Sequence, residues 1–263
     1  MATIKMASVC FSCGRARLLS DASLVFRSGE LTAIIGPSGS GKSTLIKCLT
    51  TTHRPTSGAV TVGGKDIWKD KRAYRLALGY VPQDDIIHPQ LTVEQAFTYA
   101  GRLRLDTGMD DEALDKRIKT IASLLSLSEA MNRRIFRLSG GQRKRGNIGV
   151  ELLADPDIII LDEPASGLDP GTEEDLVKLL ASLARLGRTV VMTIHSMEHL
   201  GMADKIVMVA SGRVIFCGTR PELLAHFQVP HPAEVFKVVR SKDIESWVNR
   251  YRSSALAGRA AGD

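Results

Sequence analysis

The chain has 263 residues, 44% of them apolar, and a formal net charge of +6 at pH 7. This composition is typical of a globular protein with a sizeable core. No apolar stretch approaches the roughly 20 residues of a membrane-spanning helix, and the start lacks the apolar segment of a secretory signal. We therefore expect the chain to stay in the compartment where it is made, with any membrane-crossing part elsewhere. Aromatic residues are few and no basic run is interleaved with them, so we expect no nucleic-acid partner despite the excess of positive charge.

The N-terminal third is predicted to consist mainly of short strands. A glycine-rich loop at residues 36–44 follows the second of them, and a helix is predicted from 42 to 49. The strands show alternating or continuous apolar patterns at residues 22–26, 31–35, 59–62 and 78–81.

The pattern changes to helical from residue 84 to about residue 154. Thr92 and Gln95 fit a capping box, in which a hydroxyl is followed three residues later by Gln. Further on, apolar residues recur at helical spacing at Leu114, Ile118, Ile121, Ala122 and Leu125. We interpret residues 84–155 as a helical subdomain inserted into a sheet.

Strands and helices alternate again after this insertion. A helix is predicted over residues 172–186, and strands are predicted at 158–161, 189–194, 205–209 and 213–217. Such alternation predicts an α/β fold with a mostly parallel, helix-covered sheet.

The segment after residue 230 differs in character, so we divide the chain into a domain at 1–230 and a helical tail or linker at 231–263. A helical apolar stripe is formed by Ile244, Trp247, Val248 and Tyr251. Two interpretations stay open: a helix that packs back on the domain, and a basic connector toward a membrane surface. Residues 253–263 are small and polar, and we expect them to be disordered.

The glycine-rich loop carries the clearest chemistry in the chain. It fits the pattern G-x-x-x-x-G-K-[ST] with Gly36, Pro37, Ser38, Gly39, Ser40, Gly41, Lys42, Ser43 and Thr44. Glycines let the backbone N–H groups wrap a phosphate, and the following helix adds its dipole. We expect Lys42 to reach the terminal phosphates and Ser43 to ligate Mg²⁺. The loop predicts a nucleoside triphosphate but does not define the reaction.

Polar residues follow three of the predicted strands and should meet at the carboxyl edge of the sheet. We expect Asp162 to hold Mg²⁺ through water and Glu163 to deprotonate the attacking water, a role worth about 10²–10⁴ in rate. Gln83 is a candidate for contact with Mg²⁺ and the water. His195 is a candidate for a hydrogen bond to the γ-phosphate.

The order of these motifs resembles the nucleotide-binding domain of ATP-binding-cassette (ABC) transporters, over the chain to about residue 228. Leu138-Ser139-Gly140-Gly141-Gln142 lies between the loop and the acids, and Ser166-Gly167-Leu168-Asp169 follows them. The resemblance implies a P-loop NTPase with a RecA-like core, an antiparallel β subdomain and the inserted helical subdomain. Four segments are similar to the G-type (white-like) subfamily and to bacterial exporters fused to forkhead-associated domains: 81–85, 91–94, 139–145 and 216–221.

The resemblance also implies ATP and Mg²⁺ as cofactors and a head-to-tail dimer, of like or unlike chains, with two ATP molecules at the seam. In such a dimer Ser139, Gly140 and Gly141, with a helix starting near Gln142, would bind the γ-phosphate held by the other subunit. Asp169 would link the two sites.

The implied function is that of an ATPase coupled to export at the cytoplasmic face of a membrane. Asp84, Asp85 and the helical block would face a transmembrane partner. A soluble ABC ATPase and a nucleotide-gated regulatory module are alternatives, and the presence of Glu163 and His195 argues against the second.

Adenine recognition is the point where the chain departs from the family pattern. The family usually stacks adenine on an aromatic residue, and the aligned residue here is Cys13. Either Phe11 shifts in to stack on the base, or the base is bound more weakly and less selectively. Cys10 and Cys13 form a lone C-x-x-C without two further ligands, and we expect them to be free thiols.

Overall fold

Two β-sheets form the framework of the protein. The computed structural model describes residues 2–104, 110–241 and 243–262, so Lys242 and Asp263 of the tail lie outside the described residues. The strands are β1 (Ile4–Cys13), β2 (Ala16–Phe26), β3 (Leu31–Ile35), β4 (Ser57–Val62), β5 (Lys65–Asp66), β6 (Leu78–Val81), β7 (Ile158–Leu161), β8 (Thr189–Thr193), β9 (Lys205–Ala210) and β10 (Arg213–Gly218).

Ten α-helices accompany these sheets in the part of the chain that the structure describes. They are α1 (Lys42–Leu49), α2 (Lys71–Leu76), α3 (Val93–Arg104), α4 (Asp111–Leu124), α5 (Gly140–Leu152), α6 (Pro170–Arg185), α7 (Arg220–Phe227), α8 (Pro232–Ser241), α9 (Ile244–Arg252) and α10 (Ala255–Ala261). The predicted α/β class is confirmed.

The larger sheet has the strand order β10-β9-β3-β8-β7-β6. The five strands from β9 to β6 are parallel, and β10 pairs antiparallel with β9. Because β3, β7 and β8 are buried on both faces, their sequences are mainly apolar at successive positions rather than alternating. The carboxyl ends of β3, β8, β7 and β6 therefore lie side by side at one edge.

The smaller sheet is antiparallel, with the order β2-β1-β4-β5. It shares a hydrophobic cluster with α1 and with one face of the larger sheet. It corresponds to the antiparallel β subdomain that the resemblance implies.

The inserted helices α3, α4 and α5 form the predicted helical subdomain. Thr92 and Gln95 make both bonds of the capping box, at 3.0 and 3.1 Å, and the apolar stripe of α4 is buried. Helix α3 approaches α5 closely at Gly149, where an added Cβ would clash with the Phe97 ring.

The C-terminal helices pack on the domain. Helix α9 buries Trp247, Val248 and Tyr251 against β10. The expected disorder of residues 253–263 is wrong for α10, which packs on β10 and β2. Its small residues are apolar on one face, and that face buries Ala260 to 3% exposure, which a polarity argument alone overlooks.

Candidate active site

A cavity of about 720 Å³ opens at the carboxyl edge of the parallel sheet. Loops that follow β3, β6, β7 and β8 meet there, because these parallel strands are adjacent in the sheet. The predicted site residues that line the cavity are Ser38, Gly39, Ser40, Gly41, Lys42, Ser43, Thr44, Gln83, Glu163 and His195.

The glycine-rich loop joins β3 to α1. Gly41 has φ 105° and lies against β2, and an added Cβ would come within 2.9 Å of the Leu18 carbonyl oxygen; only glycine fits this position. Lys42 is 5% exposed, and its Nζ donates to the carbonyl oxygens of Gly36 at 2.9 Å and Pro37 at 3.1 Å. Burial lowers the pKa of Lys42, while Glu163 and Asp162 oppose that change.

Glu163 is the centre of a polar triad. Its Oε2 accepts a hydrogen bond from Gln83 Nε2 at 2.9 Å, and its Oε1 lies 2.5 Å from His195 Nε2. Its own backbone has φ 50°, in the left-handed region. The three residues follow three different strands, so the strand order of the sheet brings them together at the edge of the cavity.

Thr193 supports this triad from below and was not among the predicted residues. Its hydroxyl donates to Asp162 Oδ1 at 2.7 Å and accepts from the Glu163 backbone N–H at 2.6 Å. Thr193 is fully buried. The available signal was a hydroxyl at the end of a mainly apolar strand, beside the strand that carries the acids.

Arg17, Leu18, Ser211 and Gly212 also line the cavity and were not predicted. Gly212 donates to the Ser40 carbonyl at 2.7 Å and accepts from the Ser20 N–H at 2.8 Å. The turn between β9 and β10 thus joins the loop to β2. No local sequence pattern predicts these residues, because their place at the cavity depends on packing between segments that are distant in the sequence.

The structure does not bring Phe11 to the cavity. Its ring stacks on His53, with centroids 4.7 Å apart and planes 1° apart, and Phe11 is not among the described residues that line the cavity. Cys13 is exposed, and the Cys10 sulfur accepts hydrogen bonds from Arg17 and the Asp21 N–H at 3.1 and 3.2 Å. The described residues contain no cluster of three His, Cys, Asp or Glu that could hold a metal ion.

The second glycine-rich turn lies outside the cavity. Ser139 caps α5 by accepting from the Gln142 N–H at 3.2 Å, and Gln142 Oε1 accepts from the Ser139 N–H at 3.2 Å. The helix begins at Gly140, slightly before the predicted start. Asp169 caps α6 in a similar way, and hydrogen bonds from Thr172 lower its pKa.

The donor set at the cavity suits a magnesium ion. Ser43 and Gln83 line the cavity, and Asp162 lies beneath it at 6% exposure. They offer a hydroxyl, an amide and a carboxylate oxygen, which are the hard ligands that Mg²⁺ prefers. The Gln83 amide nitrogen is bound to Glu163, which leaves its oxygen available for such a ligand role.

Comparison with known proteins identifies the class of protein to which this chain belongs. A family model described as "ABC transporter" matches residues 19–166, and the chain belongs to this family as an ATP-binding cassette. Its solved neighbours include cbiO1 from Clostridium perfringens, part of the ABC transporter complex cbiONQ. That structure has a TM-score of 0.78 and 26% identity over 93% of this chain and 96% of that chain.

Several curated relatives belong to the G family, which confirms the predicted resemblance to that subfamily. The ABC transporter ATP-binding/permease protein Rv1747 of Mycobacterium tuberculosis is 40% identical over 86% of this chain and 26% of its own length. ABCG2 of Mus musculus, named a broad substrate specificity transporter, is 35% identical over 80% of this chain and 33% of its own length. ABC transporter G family member 26 of Arabidopsis thaliana is 37% identical over 76% of this chain and 30% of its own length.

The chain thus spans 26–33% of the length of these relatives. None of the helices in the described ranges is both long and apolar enough to cross a membrane.

Proposed function

We propose that this cassette hydrolyses ATP and couples ATP-driven dimerisation to export through a transmembrane partner. The observation that carries the proposal is the contact of Gln83 and His195 with Glu163 beside the phosphate-binding loop. A general base, a group that orients it and a ring nitrogen for the γ-phosphate then share one cavity with Lys42. That arrangement suits in-line attack of water on a terminal phosphate.

Different residues at the cavity would bind the phosphates, the attacking water and Mg²⁺. The N–H groups of residues 38–44 and the Lys42 ammonium would bind the phosphates, because both present positive charge to the anion. Glu163 would take the proton of the attacking water, and His195 would donate to the γ-phosphate. Ser43, Gln83 and Asp162 would hold Mg²⁺, directly or through water; when bound, this ion neutralises charge on the phosphate oxygens.

The turn at Ser139 supports a dimeric arrangement. It lies outside its own chain's cavity, at the capped N-terminus of α5. The first N–H groups of a helix have no partner within the helix and carry the positive end of its dipole. Ser139, Gly140 and Gly141 would therefore clamp the γ-phosphate bound by a second cassette, and two-fold symmetry would build both sites at once.

A broad groove supports attachment to a transmembrane partner. A cavity of about 830 Å³ lies between α2, β6 and the end of α3. Leu76 and Leu103 on its rim are 65% and 86% exposed, and Arg72 and Arg75 line it. We propose that a segment of the partner covers these side chains at the cytoplasmic face of the membrane.

The test of hydrolysis is Glu163→Gln, which keeps the size of the side chain and removes its basicity. We expect steady-state phosphate release to fall by about 10²–10⁴-fold, with ATP binding retained and an ATP-bound dimer accumulating on a sizing column. Phosphate release at the wild-type rate in this variant would show that Glu163 is not the general base.

A further inference from the structure

The wall that β2 contributes to the nucleotide cavity consists of Arg17 and Leu18. No Phe, Tyr or Trp occurs among the described residues that line this cavity. A guanidinium is planar and stacks on aromatic rings, and Leu18, which is 39% exposed, offers an apolar surface beside it. Arg17 is therefore the side chain of this wall that suits a purine base best.

The sulfur of Cys10, on the neighbouring strand β1, anchors the Arg17 side chain. Arg17 Nη2 donates to Cys10 Sγ at 3.1 Å, and within the described ranges the Arg17 side chain makes no other hydrogen bond. The Asp21 N–H donates to the same sulfur at 3.2 Å. The sulfur thus joins the guanidinium to the backbone of β2 and restricts the directions that the guanidinium can take.

The backbone around Cys10 holds this sulfur in place. The pairing of β1 with β2 shifts its register on both sides of Val9, and Ser8 has φ 48°, in the left-handed region. Register shifts of this kind re-aim a side chain within a strand. The Cys10 carbonyl oxygen accepts from the Thr56 N–H at 2.8 Å and from the Thr56 hydroxyl at 3.1 Å. Cys10 is fixed from two sides and is only 6% exposed.

The surroundings of the sulfur favour its anionic form. Burial raises the pKa of Cys10, but hydrogen bonds from Ser57, the Asp21 N–H and Arg17 outweigh that effect, and the charge of Arg17 acts with them, so the pKa lies below its ordinary value. A sulfur with thiolate character accepts more strongly from a guanidinium than a neutral thiol does. The contact between Cys10 and Arg17 is therefore stronger than one between neutral groups.

We propose that Cys10 is a positioning residue that holds the Arg17 guanidinium in place to stack on the adenine of bound ATP. The inference rests on the proposed function. An arginine side chain that moves freely in solvent loses rotamer freedom when it orders on a ligand, and this loss weakens binding. The bond to the sulfur reduces that loss, because the guanidinium is already placed. Cys10 thus acts on the affinity for the base through Arg17 and leaves the phosphates unaffected.

A double-mutant cycle tests this role. Isothermal titration of the full chain uses two probes, the magnesium complexes of a non-hydrolysable ATP analogue and of inorganic triphosphate, which lacks the base. We expect Arg17→Ala to weaken binding of the analogue about fivefold and Cys10→Ala about threefold. Triphosphate should bind each variant as it binds the wild type. In the Arg17→Ala background, Cys10→Ala should cause no further loss, because the side chain that it places is gone.

Further variants separate positioning from a general loss of stability. Cys10→Val fills the space with an apolar side chain that suits a strand and should reproduce Cys10→Ala, whereas Cys10→Ser keeps an acceptor and should retain most of the affinity. Cys217→Ala removes another buried thiol, one that does not line the cavity, and should bind like the wild type. Steady-state kinetics of Cys10→Ala should show KM for ATP raised about threefold with kcat unchanged.

Failure of the positioning role and failure of the proposed function give different results. If the wild type binds neither probe, the proposed function fails. If the wild type binds the analogue and Cys10→Ala binds it equally well, Cys10 does not position Arg17. A loss in Cys10→Ala that is as large with triphosphate, or as large in the Arg17→Ala background, would also overturn the positioning role. In these last cases the proposed function stands.

Discussion

Individual side chains at the cavity depend on a buried hydroxyl for their placement. The Thr193 hydroxyl bridges Asp162 and the backbone of Glu163, so one group fixes both acids. Each acid is otherwise at the start of a loop, where the backbone has freedom. A small change beneath the site is therefore expected to alter catalysis without touching ATP.

Thr193→Val tests this placement, because valine keeps the shape of threonine and lacks its hydroxyl. The buried Asp162 carboxylate and the part-buried Glu163 N–H lose their partner, and the free energy of unfolding should fall by about 1–3 kcal/mol. kcat for ATP hydrolysis should fall about tenfold or more, since small misplacement of catalytic groups is costly. Chemical denaturation and phosphate release measure the two effects.

Thr32→Val is the matched control. Thr32 is also a buried strand threonine, and its hydroxyl has no hydrogen-bond partner among the described residues. We expect this variant to be as stable as the wild type or more stable, with normal kcat. Equal losses in both variants would contradict a special role for the Thr193 hydroxyl.

Arg17 is the other residue at the cavity that calls for a test. Phe11 stacks on His53, whereas Arg17 lines the cavity. We therefore expect Arg17, rather than Phe11, to contact the adenine base. Arg17→Ala should weaken ATP binding severalfold, while Arg15→Ala should have little effect. Isothermal titration with ATP and with inorganic triphosphate measures this. A loss with triphosphate as large as with ATP would show that Arg17 acts on the phosphates and not on the base.

Among the helices, α5 has a strict packing requirement at Gly149. It carries the turn at Ser139 at its start and packs against α3 further along. At Gly149 an added Cβ would clash with the Phe97 ring of α3 and would come within 2.8 Å of Leu125, the residue that follows α4. The glycine costs helix propensity, and the close approach of α3 is the structural reason for it.

Gly149→Ala should therefore destabilise the protein although alanine is the better helix former. Overpacking against the fully buried Phe97 typically costs about 1–3 kcal/mol, against a propensity gain of about 1 kcal/mol. Gly146→Ala lies on the same helix, where a Cβ would be 3.4 Å from Ile87, and it should stabilise slightly. Urea denaturation compares them, and stabilisation by both substitutions would contradict the packing described for α3 and α5.

At the scale of the whole molecule, the C-terminal helices join the domain through an aromatic cluster. The His226 ring lies 4.8 Å from Phe227 and 5.9 Å from Trp247. Burial lowers the pKa of His226 from 6.5 to about 4, and the charge of Arg250 acts in the same direction. The folded state therefore favours neutral His226.

This pKa makes stability depend on pH between about 4 and 6.5. In that range the unfolded chain binds the proton and the folded chain does not, so acidification favours unfolding. The contribution of His226 should be fully present above pH 6.5 and should decline by about 3 kcal/mol as the pH falls to 4. Urea denaturation at a series of pH values measures it.

In the His226→Phe variant, the free energy of unfolding should fall less steeply on acidification than in the wild type. His231→Gln, which changes an exposed histidine, should follow the wild type. A decline in His226→Phe as steep as that of the wild type would assign the pH dependence to other groups.

Sequence alone was sufficient for the elements that have strong local patterns. The apolar runs of β3, β7 and β8, the capping box of α3 and the stripe of α4 all predicted their elements. Thr193 and Arg17 could not be predicted from such patterns, because their roles arise from contacts between distant strands. The α10 helix was missed because its burial depends on a surface formed by β2 and β10.

We propose that each ATP lies between two chains, and complementation of two inactive variants distinguishes this arrangement from a site within one chain. Lys42→Ala removes a positive charge from the phosphate-binding loop. Gly140→Asp places a negative charge in the turn at Ser139, which would bind the partner's γ-phosphate. Each variant alone should therefore be inactive. In a mixed dimer one composite site contains both defects and the other contains none.

We predict that an equimolar mixture recovers ATP hydrolysis. If chains pair at random and the two sites act independently, recovery should approach about a quarter of the wild-type rate. A mixture as inactive as its two components, under conditions in which the wild type is dimeric and active, would contradict a nucleotide site shared between two chains.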